Sequence, residues 1–179
     1  MFIVYSLSRS RSFWLSKFLT YGAHYCAHNL RLRAPSLDWL KGFLSVPNIG
    51  ATDPGMIELW PMLSCEFPNH RQVVVHRPRA EIKASFDKLG FPYGEPEHRE
   101  VLLQAIGSIP GVLNVTFEGL QEEEVCKSVF EFCLGVPFDR QHWLDLKDQN
   151  LQTDFQQNVA QIKKNAMQIA RVNAEAEIK

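Results

Sequence analysis

The chain has no glycine between Met1 and Tyr21 and nowhere the Gly-x-x-x-x-Gly-Lys-Ser/Thr spacing of a Walker A loop. That removes the lysine-bearing phosphate cradle expected of a nucleotide kinase. No run approaches the roughly 18 apolar residues of a membrane span. No basic segment followed by an apolar stretch stands at the N-terminus, so no secretory signal is expected. The four cysteines, Cys26, Cys65, Cys126 and Cys133, form no C-x-x-C pair and fit no common zinc spacing. They read as reduced thiols of a cytoplasmic protein. Neither sign of charge dominates: 19 Lys and Arg against 20 Asp and Glu leave a net charge of −1, so broad nucleic-acid binding is not suggested. His24 and His28 lie four apart without a carboxylate-bearing motif nearby, and no metal is expected.

What remains is a chain of globular proportions, 179 residues with 45% apolar and 22% charged, suited to one domain with a real core. Its most informative stretch is Ser6 to Leu19. A short apolar, β-rich run, Met1 to Tyr5, precedes it, and Phe13, Trp14, Lys17 and Phe18 recur at helical spacing within it. Strand, polar loop, helix is the arrangement in which main-chain N–H groups and a helix dipole converge on an anion. Arg9 and Arg11 add forked donors matched to phosphate or sulfate oxygens. Ser8, Ser10 and Ser12 add hydroxyls that bind or cap. The alternative is a solvated loop with an N-cap.

Further along, Ala23 to His28 reads as a short strand. Leu37, Leu40, Phe43 and Leu44 share a helix face behind a Ser36 N-cap. Arg31 and Arg33 are either solvated or face the anion site. Ile49 to Thr52 is a weak strand, Asp53-Pro54-Gly55 a turn, and Met56 to Leu63 a short helix. Gln72 to His76, with three consecutive valines, reads as a parallel strand buried on both faces. It runs into Arg77-Pro78-Arg79 and a helix from Ala80 to Leu89. Ligands of parallel α/β sheets sit at the carboxyl ends of strands, so the two arginine-bearing corners should share one edge. Gly90 to Pro96 is a loop of the kind that faces substrates, Glu97 to Ile106 a helix, and Gly111 to Phe117 a strand. Val125 to Leu134 is an amphipathic helix. Over 152–179 a thin apolar stripe (Phe155, Val159, Ile162, Ala166, Ile169) predicts a long helix that packs back on the domain or pairs with a second copy.

Two motifs resemble the sulfotransferase family. Its 5′-phosphosulfate loop, Pro-Lys/Arg-Ser-Gly-Thr-Thr-Trp-Leu, aligns with Ser8-Arg9-Ser10-Arg11-Ser12-Phe13-Trp14-Leu15. Ser8 stands for proline, Arg11 for glycine and Phe13 for a hydroxyl residue. Its second signature, Arg-Asn-Pro-Lys/Arg-Asp-x-x-x-Ser, resembles Arg77-Pro78-Arg79-Ala80-Glu81-Ile82-Lys83-Ala84-Ser85, with Arg and Ser eight apart. Phe117-Glu118-Gly119-Leu120 is similar to the family's Tyr-Glu-Asp-Leu, and Gly135-Val136-Pro137-Phe138 to its Leu-Gly-Val-Pro ending. The resemblance covers about residues 2 to 145. The family's late Arg-Lys-Gly segment has no counterpart; Lys163-Lys164 is the nearest cationic pair.

The resemblance implies a three-layer αβα fold with a central parallel sheet, P-loop NTPase-like, in a single domain over 1–179. It implies sulfuryl transfer from 3′-phosphoadenosine-5′-phosphosulfate (PAPS) to a hydroxyl or amine, without a metal. The donor would be held by Ser8, Arg9, Ser10, Arg11, Ser12 and Phe13 at the 5′ end and by Arg77 and Ser85 at the 3′-phosphate. Arg9 would stabilise charge on the bridging oxygen. Thr52-Asp53-Pro54 stands where many members carry Thr-His-x-Pro, making Asp53 the candidate base; Glu58, His28 and His76 are weaker alternatives. The competing reading of Asp53 is a turn starter. A non-catalytic anion-binding protein on the same fold, or a small kinase, are the competing functions, and a homodimer through the C-terminal helix is the possible assembly.

Overall fold

In the computed structural model, which describes residues 1–149, five strands lie side by side in one parallel sheet. They are β1 (Phe2–Ser6), β2 (Tyr25–His28), β3 (Ile49–Thr52), β4 (Arg71–His76) and β5 (Leu113–Thr116), in the order β2-β3-β1-β4-β5. β1 is central and buried along its whole length, as expected of a strand covered on both faces. The helices are α1 (Ser12–Phe18), α2 (Leu30–Arg33), α3 (Leu37–Leu44), α4 (Trp60–Glu66), α5 (Arg79–Asp87), α6 (Glu97–Gly107), α7 (Glu123–Leu134) and α8 (Arg140–Lys147).

Because strand side chains alternate, β1 feeds two cores. Ile3 and Tyr5 join Leu40, Leu44, Leu63, Leu103 and Ile106, from α3, α4 and α6. On the other side α1 packs with α7 and α8: the Phe18 and Phe130 rings lie 5.4 Å apart, and Trp14 Nε1 donates to the Leu146 carbonyl at 2.9 Å. The result is the expected three-layer α/β sandwich. Gly50 belongs to this packing, since a Cβ there would stand 2.2 Å from the Phe2 ring.

Several elements differ from expectation. The helix expected over 56–63 is a 3₁₀ turn, Pro54–Leu59, followed by α4. Pro61 at the head of α4 lacks the N–H that would continue the turn before it. α2 precedes Pro35 as a separate four-residue helix, and Ser36 caps α3 by accepting from Trp39 N at 3.1 Å. α8 is not among the expected elements, although Asp139 caps it by accepting from His142 N at 3.0 Å. The helix expected over 152–179, and with it the dimer seam, lies outside the described residues. Among the described residues no helix is long and apolar enough to cross a membrane.

Candidate anion site

Strand register brings Ser6, His28, Thr52, His76 and Thr116 to one carboxyl edge. The loop between β1 and α1 sits there, and its backbone is unusual. Arg9 (φ 65°) and Arg11 (φ 60°) both adopt the left-handed conformation, which costs a side-chain-bearing residue about 1–2 kcal/mol. A left-handed residue beside a right-handed one, as Arg11 is beside the helical Ser12, turns successive N–H groups toward one side, the geometry of an anion nest. Arg11 occupies the N-cap of α1 and offers no side-chain cap. The N-cap position is therefore not one of the serines, and it supplies no side-chain acceptor to the first-turn amides.

The strained loop is held from several elements. Ser8 N donates to Glu95 Oε2 at 3.0 Å, and Thr52 Oγ1 donates to Ser12 O at 2.7 Å. Ser12 Oγ meets His28 Nε2 at 3.2 Å. Arg11 Nη1 donates to Leu120 O at 2.8 Å, its guanidinium lying over the Trp14 and Phe117 rings. Arg77 Nη1 donates to Arg9 O. Ser10 Oγ, by contrast, is fully buried with no hydrogen-bond partner among the described residues. A buried hydroxyl without a partner is costly and calls for a polar atom beside it.

The two arginine corners meet. Arg9 Nε donates to Ser85 Oγ at 3.2 Å, so Ser85, two turns into α5, faces back to the loop as its eight-residue spacing from Arg77 requires. The Arg77 guanidinium lies 3.7 Å from the centre of the Phe117 ring and 3.4 Å from Glu81. Burial, and then the Arg77 charge, push the Arg9 guanidinium below its ordinary range. Two partly buried cations side by side favour a ligand with negative charge. A cavity of about 300 Å³, lined by Arg77, Glu81, Ala84, Ser85 and Lys88, adjoins the pair.

Asp53 directly follows β3 and is 2% exposed. Its Oδ1 accepts from Gly55 N at 2.8 Å, the bond of a turn starter, and its Oδ2 accepts from Arg31 N at 2.7 Å in the first turn of α2. Burial raises its pKa despite these bonds. Glu58 is engaged by Arg31, Arg99 and His98. His76 Nε2 bonds Asn114 Oδ1 at 2.7 Å.

The structure thus brings Ser8, Arg9, Ser10, Ser12, Phe13, Arg77 and Ser85 to one edge, with Asp53 at the neighbouring strand tip. Of Arg11, the main chain belongs to the loop while the side chain turns to Leu120, Trp14 and Phe117. The sequence reading misses Glu95, whose side chain is only 2% exposed and also accepts from Arg99 Nη1 at 3.0 Å. Ser8 is the available signal for it: where a proline would have no N–H, serine exposes one that needs an acceptor. In sequence Phe117 reads only as part of a strand ending, not as the ring beneath Arg77. Among the described residues no group of three or more His, Cys, Asp or Glu is placed to hold a metal ion.

No family model matches this chain, and no curated protein matches it. Among solved structures it is similar in fold to mouse sulfotransferase SULT7A1 complexed with PAP, with a TM-score of 0.53 and 12% sequence identity. That match covers 82% of this chain and 62% of the other, so this chain spans less than two thirds of the mouse enzyme's length. At this identity the likeness shows the fold alone.

Proposed function

We propose that the chain binds PAPS across the carboxyl edge of its sheet and transfers the sulfuryl group to a hydroxyl or amine. The observation that carries this reading is the union of Arg9, Arg77 and Ser85: two guanidiniums and a hydroxyl, from the ends of β1 and β4 and from α5, joined by direct hydrogen bonds. A nucleotide phosphorylated at both 5′ and 3′ positions places negative charge at two points, which suits cations contributed by two corners. The PAP bound by the mouse structure is such a nucleotide, and the fold likeness supports the analogy.

In this reading the main chain of residues 9–13, with the Ser10 and Ser12 hydroxyls, takes the 5′-phosphate, while the Ser8 N–H stays with Glu95 and anchors the start of the loop. Ser10 Oγ gains the partner it otherwise lacks. Arg9 neutralises charge at the bridging oxygen, and Arg77 with Ser85 holds the 3′-phosphate. PAPS supplies the sulfuryl group; the residues position it and stabilise the leaving charge, as in phosphoryl transfer. Asp53 is the proton acceptor for the incoming nucleophile. Its raised pKa is the direction a base needs, and each carboxylate oxygen, accepting a single main-chain N–H, keeps a lone pair for the proton. The chemistry requires no metal, and the buried Cys26, Cys126 and Cys133 thiols suit a reducing cytoplasm.

The test is a thermal-shift panel with 3′,5′-adenosine bisphosphate, ATP and AMP. At 100 times Kd a ligand adds about 2.7 kcal/mol, a readable rise in Tm. A shift with the bisphosphate alone is expected. An equal or larger shift with ATP, or none with any of the three, would overturn the reading. Where transfer to an acceptor is measured, Asp53→Asn should abolish turnover while the bisphosphate still binds.

A further inference from the structure

We propose that His28 is a positioning residue of the anion loop, orienting the Ser12 hydroxyl and taking up a proton when a phosphate-class anion binds there. This rests on the anion-binding reading of the loop, and it adds a residue from a different strand.

The geometry is specific. Within residues 8–13, Phe13 is the one position whose side chain has no hydrogen-bond donor. Against that position stands the imidazole of His28, 5.1 Å between ring centres and edge-on at 64°. Its Nε2 meets Ser12 Oγ at 3.2 Å. His28 is fixed in place by the sheet: it pairs in register with Thr52, and Thr52 in turn donates to the Ser12 carbonyl. The sheet therefore holds the imidazole beside the loop. A serine hydroxyl has one proton. If it is spent on Nε2, none is offered to an anion; if Nε2–H donates to Oγ, the hydroxyl is free to donate onward.

The charges around His28 favour such a change on binding. Burial, and then the Arg33 charge at the end of α2, lower the imidazole pKa to about 4, so the ring is neutral in the free protein. From α1 come Ser12, Phe13 and Lys17, whose ammonium lies over the Phe13 ring. From β3 come Thr52 and then Asp53, whose carboxylate is engaged by Gly55 and Arg31 amides. The charge that acts on the imidazole is that of Arg33, and an arriving polyanion opposes it, raising the imidazole pKa toward the working range. The proton comes from solvent, the imidazole becomes imidazolium, and no bond of the ligand is broken.

The probe is 3′,5′-adenosine bisphosphate, followed by calorimetry near pH 6 in two non-phosphate buffers of different ionisation enthalpy. Wild type and His28→Gln are compared, because the ligand's own proton release is common to both. Per ligand bound, wild type should take up more protons than His28→Gln does, by about half a proton or more, and its affinity should strengthen more steeply as pH falls. Equal proton counts with intact binding would overturn the role of His28 alone. No binding by wild type would overturn the loop reading and this inference together. Should His28→Gln fail to fold, ring NMR of wild-type His28 gives the same answer: its titration must move to higher pH with the bisphosphate present, and an unmoved titration overturns the inference.

Discussion

Arg77 donates a hydrogen bond to the main-chain oxygen of Arg9, so the cation that ends one strand fixes the loop that follows its neighbour. The bond joins side chain to backbone, which leaves the Arg9 guanidinium for Ser85. The Phe117 ring beneath Arg77 restricts it further. A cation restrained in this way loses less rotamer freedom when an anion arrives, and preorganised donors bind more tightly for that reason.

Replacing Arg77 separates binding from folding. Arg77→Ala should weaken 3′,5′-adenosine bisphosphate by about 10- to 100-fold, the range for losing charged hydrogen bonds. It should lower stability by about 1–3 kcal/mol, through the lost ring contact and the lost bond to the Arg9 carbonyl. Arg77→Lys keeps the charge but not the fork and should lie between the two. Calorimetric titration checks this, and an unchanged Kd in Arg77→Ala removes the 3′-phosphate assignment.

Arg11 carries a backbone conformation better suited to glycine. Arg11→Gly and Arg11→Ala both lose the Leu120 bond and the contacts with Trp14 and Phe117, so their difference isolates the main chain. The glycine variant should be more stable by about 0.5–1 kcal/mol, the left-handed penalty less the extra entropy of glycine in the unfolded chain. Urea unfolding measures the difference; an alanine variant equal to or better than glycine would show that the loop does not need this φ.

These two arginines mark how far the sequence can be read. The strands, the polar loop and the Arg77 to Ser85 spacing follow from periodicities and short motifs, which are local. Hence Arg9, Arg77 and Ser85 are expected together from the sequence. The direction of the Arg11 side chain is not legible there, because it is set by a carbonyl 109 residues away. Asp53 reads as a turn starter or a base, and its bond to Gly55 is local. Its bond to Arg31 depends on how β2 and β3 sit side by side. Glu95 is hidden for the same reason: a glycine- and proline-rich loop does not announce which of its side chains folds inward.

Gly50 should not tolerate a side chain. The Cβ of Gly50→Ala would meet the Phe2 ring at 2.2 Å, and that ring is 1% exposed, with little room to retreat. Overpacking of this kind costs about 1–3 kcal/mol. Chemical denaturation should show that loss, and Phe2→Leu combined with Gly50→Ala should cost less than the sum of the two single changes. Additive losses would mean that the clash is relieved elsewhere.

Acid should destabilise the fold partly through His28. Burial, and then Arg33, lower its pKa from an ordinary 6.5 to about 4, and burial also lowers that of His70, which bonds Tyr5 and the Phe67 carbonyl. A histidine kept neutral in the folded state binds fewer protons than in the unfolded chain. Its contribution is therefore present above pH 6.5 and is lost as pH falls toward 4. Asp53, raised by burial, contributes with the opposite sign, so wild type and His28→Gln are compared at each pH. His28→Gln should show a shallower decline of Tm between pH 6.5 and 4 than wild type, with His70 left to supply the remaining slope. Parallel curves for the two proteins would mean that His28 takes on a proton in the folded state as readily as in the unfolded one.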